Sequence, residues 1–124
     1  MAFIPAVLLT VGIVIVSLWE HPNVPQTVAL HDKIVHGLMY MLLAVSWIVP
    51  IRKSKISYYA FVCVGITLFG ALLELLQHYC TITRTGEWLD VLADFLGALL
   101  GVILCVVITS LRHYEKSSII NHQS

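Results

Sequence analysis

The sequence predicts an all-α fold: a polytopic membrane bundle of four transmembrane helices with both termini in the cytoplasm. Three observations lead there. Of the 124 residues, 59% are hydrophobic and 11% charged, with a mean hydropathy of +0.91, whereas roughly a quarter of a soluble domain is charged. Four uncharged runs of near-membrane length follow one another, over 3–19, 34–51, 56–73 and 95–111. The Lys and Arg residues between those runs are distributed unevenly.

Each run reads as a helix because lipid offers the backbone no hydrogen-bond partner. A hydrocarbon core of ~30 Å takes about 20 helical residues, with about 17 as the lower limit. The first run, "FIPAVLLTVGIVIVSLW", has the apolarity of a signal peptide. It lacks a charged leading region and no small-residue cleavage pattern follows it, so it reads as a retained helix. Pro22 and Pro25 mark an irregular connection after it. The second run, from Ile34 to Ile51, is interrupted only by His36 and Ser46. The third ends at Leu73 and is followed at once by Glu74, Gln77 and His78. The fourth starts at Phe95, after Trp88, Asp90 and Asp94. The tail over 112–124, "RHYEKSSIINHQS", is expected to be a short frayed end. No repeat and no second domain is visible, so 1–124 reads as one unit.

Orientation follows the basic residues. Arg52, Lys53 and Lys55 lie between runs two and three, and Arg112 and Lys116 lie in the tail; Lys33 and Arg84 are alone on the other side. That places the termini and the "RKSK" segment in the cytoplasm. Net charge is zero, which implies no nucleic-acid partner. Cys63, Cys80 and Cys105 have no metal-ligand spacing, and two of them fall inside apolar runs, which argues against a disulfide framework.

The ionisable residues all fall toward the outer ends of the runs. Asp32, His36 and Tyr40 are spaced i, i+4, i+8, with Lys33 beside them. Glu74, Gln77 and His78 are spaced i, i+3, i+4, and Glu87, Asp90 and Asp94 i, i+3, i+7, with Gly97 and Gly101 extending that stripe. Such spacings put side chains on one helical face. An acid at membrane depth costs ~2.5–3.5 kcal/mol on insertion scales, so it turns inward and finds partners. Three stripes at one depth therefore predict one polar pocket open to the outer surface. Its ligand-binding candidates are Asp32, Lys33, His36, Tyr40, Glu74, Gln77, Arg84, Glu87, Asp90 and Asp94.

Plainer readings exist for several of these. Asp32 suits the N-cap of the second helix. Lys33 suits a snorkelling interface cation. His36 and Tyr40 suit interhelical hydrogen-bond glue, and Gly97-x-x-x-Gly101 a close-packing face. His78 suits an interfacial site and Glu87 a solvated loop charge. Glu74 and Asp94 have as their plain alternative a structural ion pair to Lys33 or Arg84.

Three motifs in this arrangement carry a family resemblance. "DKIVHGLMY" resembles the D-K-x-x-H-x-x-x-Y signature of the VanZ-like family, "ELLQ" its E-x-x-Q, and "RTGEWLDVLADFLGALLG" its R-x-x-E/D-x-x-D-x-x-x-N-x-x-G-x-x-x-G block. The resemblance covers about 32–101, in the family's order. Asp94 departs from it, standing where the family usually carries Asn. The resemblance implies a small multi-pass protein of the bacterial cytoplasmic membrane, in a family linked to resistance to the glycopeptide teicoplanin.

Three functions are consistent with these residues. The first is a cell-envelope protein whose outer pocket binds or modulates an anionic or sugar-bearing head group, with membrane lipids, a lipid-linked wall precursor or a glycopeptide as partner. There Lys33 and Arg84 would supply charge, Arg offering a bidentate fork. The second is a membrane enzyme on such a lipid, with His36, Glu74 and Asp90 as catalytic residues and His36 as general acid/base. The third is a transporter, which is disfavoured because the polar groups stop half-way across. No cofactor is required. A divalent metal on His36, Glu74, Asp90 and Asp94 would find oxygen-rich ligation suited to Mg²⁺, Mn²⁺ or Ca²⁺, but the chain has no H-x-x-x-H or H-E-x-x-H.

Overall fold

The computed structural model describes residues 1–19, 29–51, 55–80 and 88–124, and those residues are helical with no strand among them. Four helices follow in order: α1 (Ile4–Leu18), α2 (Ala29–Ile48), α3 (Ile56–Cys80) and α4 (Trp88–Gln123). Pro5 lies in the first turn of α1, where its missing N–H costs nothing, and Trp19 ends the helix in extended backbone.

Helix bounds differ from the uncharged runs in an instructive way. α2 begins before Ile34, α3 runs past Leu73 to Cys80, and α4 begins at Trp88 rather than Phe95. Charged side chains end an apolar run but not a helix, because the backbone ladder is indifferent to them. The tail is not frayed: α4 is 36 residues long and reaches Gln123. No Gly or Pro follows Gly101 in the sequence, and at 1.5 Å per residue α4 spans about 54 Å, well beyond a ~30 Å hydrocarbon core.

Two of the four expected spans, α3 and α4, are long and apolar enough to cross a membrane. α1 is a shorter apolar helix of 15 residues. α2 has 20 residues and carries Asp32 in its first turn. Less than half of the apolar stretch in α3 or α4 is buried within the bundle. Phe61, Leu68, Leu72 and Leu75 of α3 point outward, as do Leu96, Leu100 and Leu104 of α4. A helix at the core of a soluble protein would bury these groups.

α2 and α4 run parallel and in intimate contact, and glycines allow it. A Cβ added at Gly97 would collide with the Gly37 carbonyl. One added at Gly101 would lie 2.6 Å from the Met41 carbonyl oxygen and 3.0 Å from Ala44 Cβ. Backbones that approach this closely gain dispersion and weak polar contacts without needing a hydrophobic driving force. α3 runs antiparallel against both, Gly70 facing Asp94 and Tyr40. α1 rests on α2 and α3 and makes no contact with α4 among the described residues.

The two ends of the bundle differ in chemistry. At one end Trp47 Nε1 donates to Thr10 Oγ1 at 3.3 Å, Trp47 packs on Phe3, and Tyr58 donates to the Trp47 carbonyl. The middle is apolar, with Ile13, Leu43, Ile66, Leu73 and Ala98 buried. The other end, where α2 and α4 begin and α3 finishes, holds the buried acids Glu74, Asp90 and Asp94 together with His36.

Candidate functional site

The polar end is built in layers, and helix register sets them. In the outer layer Lys33 Nζ donates to Asp90 Oδ1 at 2.9 Å, joining α2 to the first turn of α4. One turn deeper, His36 and Asp94 repeat the match: Nδ1–H of the imidazole donates to Asp94 Oδ1 at 3.1 Å. The repeat arises because α2 and α4 are parallel, so residues advancing together along both remain neighbours. α3 closes the layer from the side with Glu74. An atom from each of His36, Glu74 and Asp94 can be chosen so that all three lie within 4.8 Å of one another.

Burial here is nearly complete. Asp94 is 0% exposed, and its Oδ2 is a buried oxygen with no hydrogen-bond partner among the described residues. His36, Glu74, Gln77 and Asp90 are buried as well. A buried polar atom left without a partner costs about 1–3 kcal/mol, more when charged. Gln77 Nε2 donates to the Ser17 carbonyl at 2.7 Å and ties α3 to the end of α1.

Tyr40 forms the floor. It is buried, its ring lies parallel to that of His36 with centroids 6.4 Å apart, and it also meets Phe69, tilted, with centroids 6.3 Å apart. Gly70 completes the floor. A Cβ there would stand 2.5 Å from Asp94 Oδ2 and 3.0 Å from Tyr40 Cε1. The space Asp94 occupies therefore exists because residue 70 has no side chain.

Several sequence expectations meet this geometry differently. Asp32 is not the N-cap of α2: the helix starts at Ala29 and Asp32 is a half-buried first-turn acid, where it favours the positive end of the helix dipole. Of the anticipated set His36, Glu74 and Asp90, Asp90 takes Lys33 as its partner in the outer layer, and Asp94 stands directly beside His36. The four-residue metal set likewise contracts to three. His78 is exposed and stacks edge-on against Tyr79. All three cysteines are free thiols, Cys63 and Cys105 buried and Cys80 exposed. Arg84 and Glu87 lie outside the described residues.

Two contributors were missed from sequence. Gly70 precedes Glu74 by one turn on the same stripe, and that spacing was a readable signal. The Ser17 carbonyl carried none, because any residue type offers one.

Comparison with protein-family models, with curated proteins and with solved structures finds no match to this chain.

Proposed function

We propose that the chain is a VanZ-like integral membrane protein of the bacterial cell envelope. It spans the bilayer four times with both termini cytoplasmic. Its outward polar end binds or modulates an anionic or sugar-bearing head group of a lipid, a lipid-linked wall precursor or a glycopeptide. One observation carries the reading: buried ionisable side chains from three helices converge at one end of a bundle whose sides are apolar. Intramembrane acids are too costly to retain without partners or purpose. The Lys/Arg distribution supports the orientation.

In this reading Lys33, partly exposed above the Asp90 carboxylate, and Arg84 meet the anionic part of the head group. Asp32, Glu87 and Asp90 accept from its hydroxyls at the mouth, and Glu74 and Gln77 hold the wall of the site. Purified protein in lipid nanodiscs, titrated with an anionic lipid-linked disaccharide and followed by native mass spectrometry, tests it. Saturable binding that weakens on Arg84→Lys is expected, because one ammonium cannot reproduce a guanidinium fork. Binding no stronger than that of a zwitterionic lipid would overturn it.

The His36–Asp94 contact favours a second reading, a membrane enzyme on the same class of lipid. A buried carboxylate that fixes an imidazole is an arrangement used in general acid/base chemistry. Turnover of a lipid substrate that disappears in His36→Ala would select this reading over binding alone.

A further inference from the structure

We infer that His36, Glu74 and Asp94 form a binding site for one divalent transition-metal ion, with Zn²⁺ the favoured occupant. The inference rests on the geometry of this cluster and is independent of what head group, if any, lies above it.

The donor set is a first reason. Asp90, the fourth candidate, is held by Lys33 at 2.9 Å, which leaves one imidazole and two carboxylates. Nitrogen among the ligands shifts preference from Mg²⁺ and Ca²⁺ toward zinc and its neighbours, and zinc stands above Mn²⁺ and Fe²⁺ in intrinsic affinity. Two carboxylates and one divalent ion sum to zero charge, and a low-dielectric interior favours a neutral assembly.

Distances give a second reason. His36 Nδ1 and Asp94 Oδ1 stand 3.1 Å apart. A tetrahedral ion with bonds of about 2.0–2.1 Å has ligand atoms ~3.3 Å apart, so this pair already spans one edge. The third atom, from Glu74, is within 4.8 Å of both, a gap that rotation of a glutamate side chain closes. Three protein ligands leave a fourth position open, the pattern of sites that act on a bound molecule.

Asp94 Oδ2 gives the third. It is buried without a hydrogen-bond partner among the described residues, in a residue that is 0% exposed. The glycine at 70 makes room for that oxygen. A cation shared with the carboxylate would compensate it. The ion takes the place of the Nδ1 proton and the ligand is the neutral imidazole: a neutral ring shifts that proton to Nε2, and an imidazolium releases it to solvent.

The test uses the full chain without an affinity tag, purified in detergent, stripped with EDTA and dialysed. Zn²⁺, Mn²⁺ and Mg²⁺ are offered separately, and bound metal is counted by mass spectrometry after gel filtration. About one Zn²⁺ per chain is expected, with little Mg²⁺, and the ion should raise the unfolding temperature reversibly. Co²⁺ in its place should give the intense visible bands of a tetrahedral site. Asp94→Asn and Glu74→Gln should each weaken Zn²⁺ by about 100-fold, at or above the upper end of losses seen when only a supporting outer-shell group is removed. His113→Gln with His122→Gln, in the exposed tail, should leave it unchanged. Zinc uptake that survives both cluster variants, or that vanishes with the tail histidines, would overturn the site. So would a wild-type protein that takes up Mg²⁺ but not Zn²⁺, or no metal. The wild-type stoichiometry and thermal shift decide the matter even if a cluster variant fails to fold.

Discussion

Gly37 and Gly97 touch backbone to backbone, and this contact sets the distance at which His36 meets Asp94. The two polar residues sit one and three positions before the two glycines on parallel helices. Whatever separates the helices at the glycines must lengthen the 3.1 Å hydrogen bond above them.

Gly97→Ala should therefore be damaging twice. Its Cβ would collide with the Gly37 carbonyl, and overpacking of this kind costs about 1–3 kcal/mol. Gly12 and Gly65 have nothing within 4 Å of an added Cβ among the described residues, so Gly12→Ala and Gly65→Ala should melt at or above the parent temperature. Gly70→Ala should fall between in stability but displace the Asp94 carboxylate. Thermal unfolding in one detergent, followed by circular dichroism, compares all four.

Asp94→Asn and Asp94→Leu should part company. Asn retains an oxygen that can accept from His36 and removes a buried charge, so folding should be nearly unaffected. Leu leaves the buried imidazole N–H without a partner, which costs about 1–3 kcal/mol. Unfolding temperatures in matched detergent check the order. A Leu variant as stable as the Asn variant would mean that the His36–Asp94 contact contributes nothing.

The Lys33–Asp90 pair should behave as a coupled unit. Lys33→Ala takes from Asp90, buried in the first turn of α4, the ammonium 2.9 Å away, whereas Lys33→Ala with Asp90→Asn removes both charges. The double variant is expected to be more stable than the sum of the singles by about 0.5–3 kcal/mol. A double-mutant cycle on unfolding free energy reads this directly; additivity would show that the pair is only a surface contact.

Helix identity and the convergence of the polar stripes were legible in the sequence, because period and depth are both encoded by residue spacing. Tyr40 beneath His36 follows from i, i+4 alone. Which acid faces which base was not legible. Asp90 and Asp94 share a face of α4, and only the parallel register of α2 and α4, fixed by Gly37 against Gly97, assigns Lys33 to the first and His36 to the second. The tail misled for a related reason: the apolar run ends at Leu111, but helix formation by Arg112, Tyr114, Glu115 and Lys116 needs no apolar environment. The length of α1 was overread because Trp19 is apolar yet extended.

The central claim is that the polar end faces outward, and Cys80 reports on it. Cys80 is exposed at the final residue of α3, beside the polar end, whereas Cys63 and Cys105 are buried. A membrane-impermeant maleimide applied to intact cells should label the native chain, and Cys80→Ser should abolish the label. Labelling that appears only after permeabilisation would put the polar end in the cytoplasm and contradict the account.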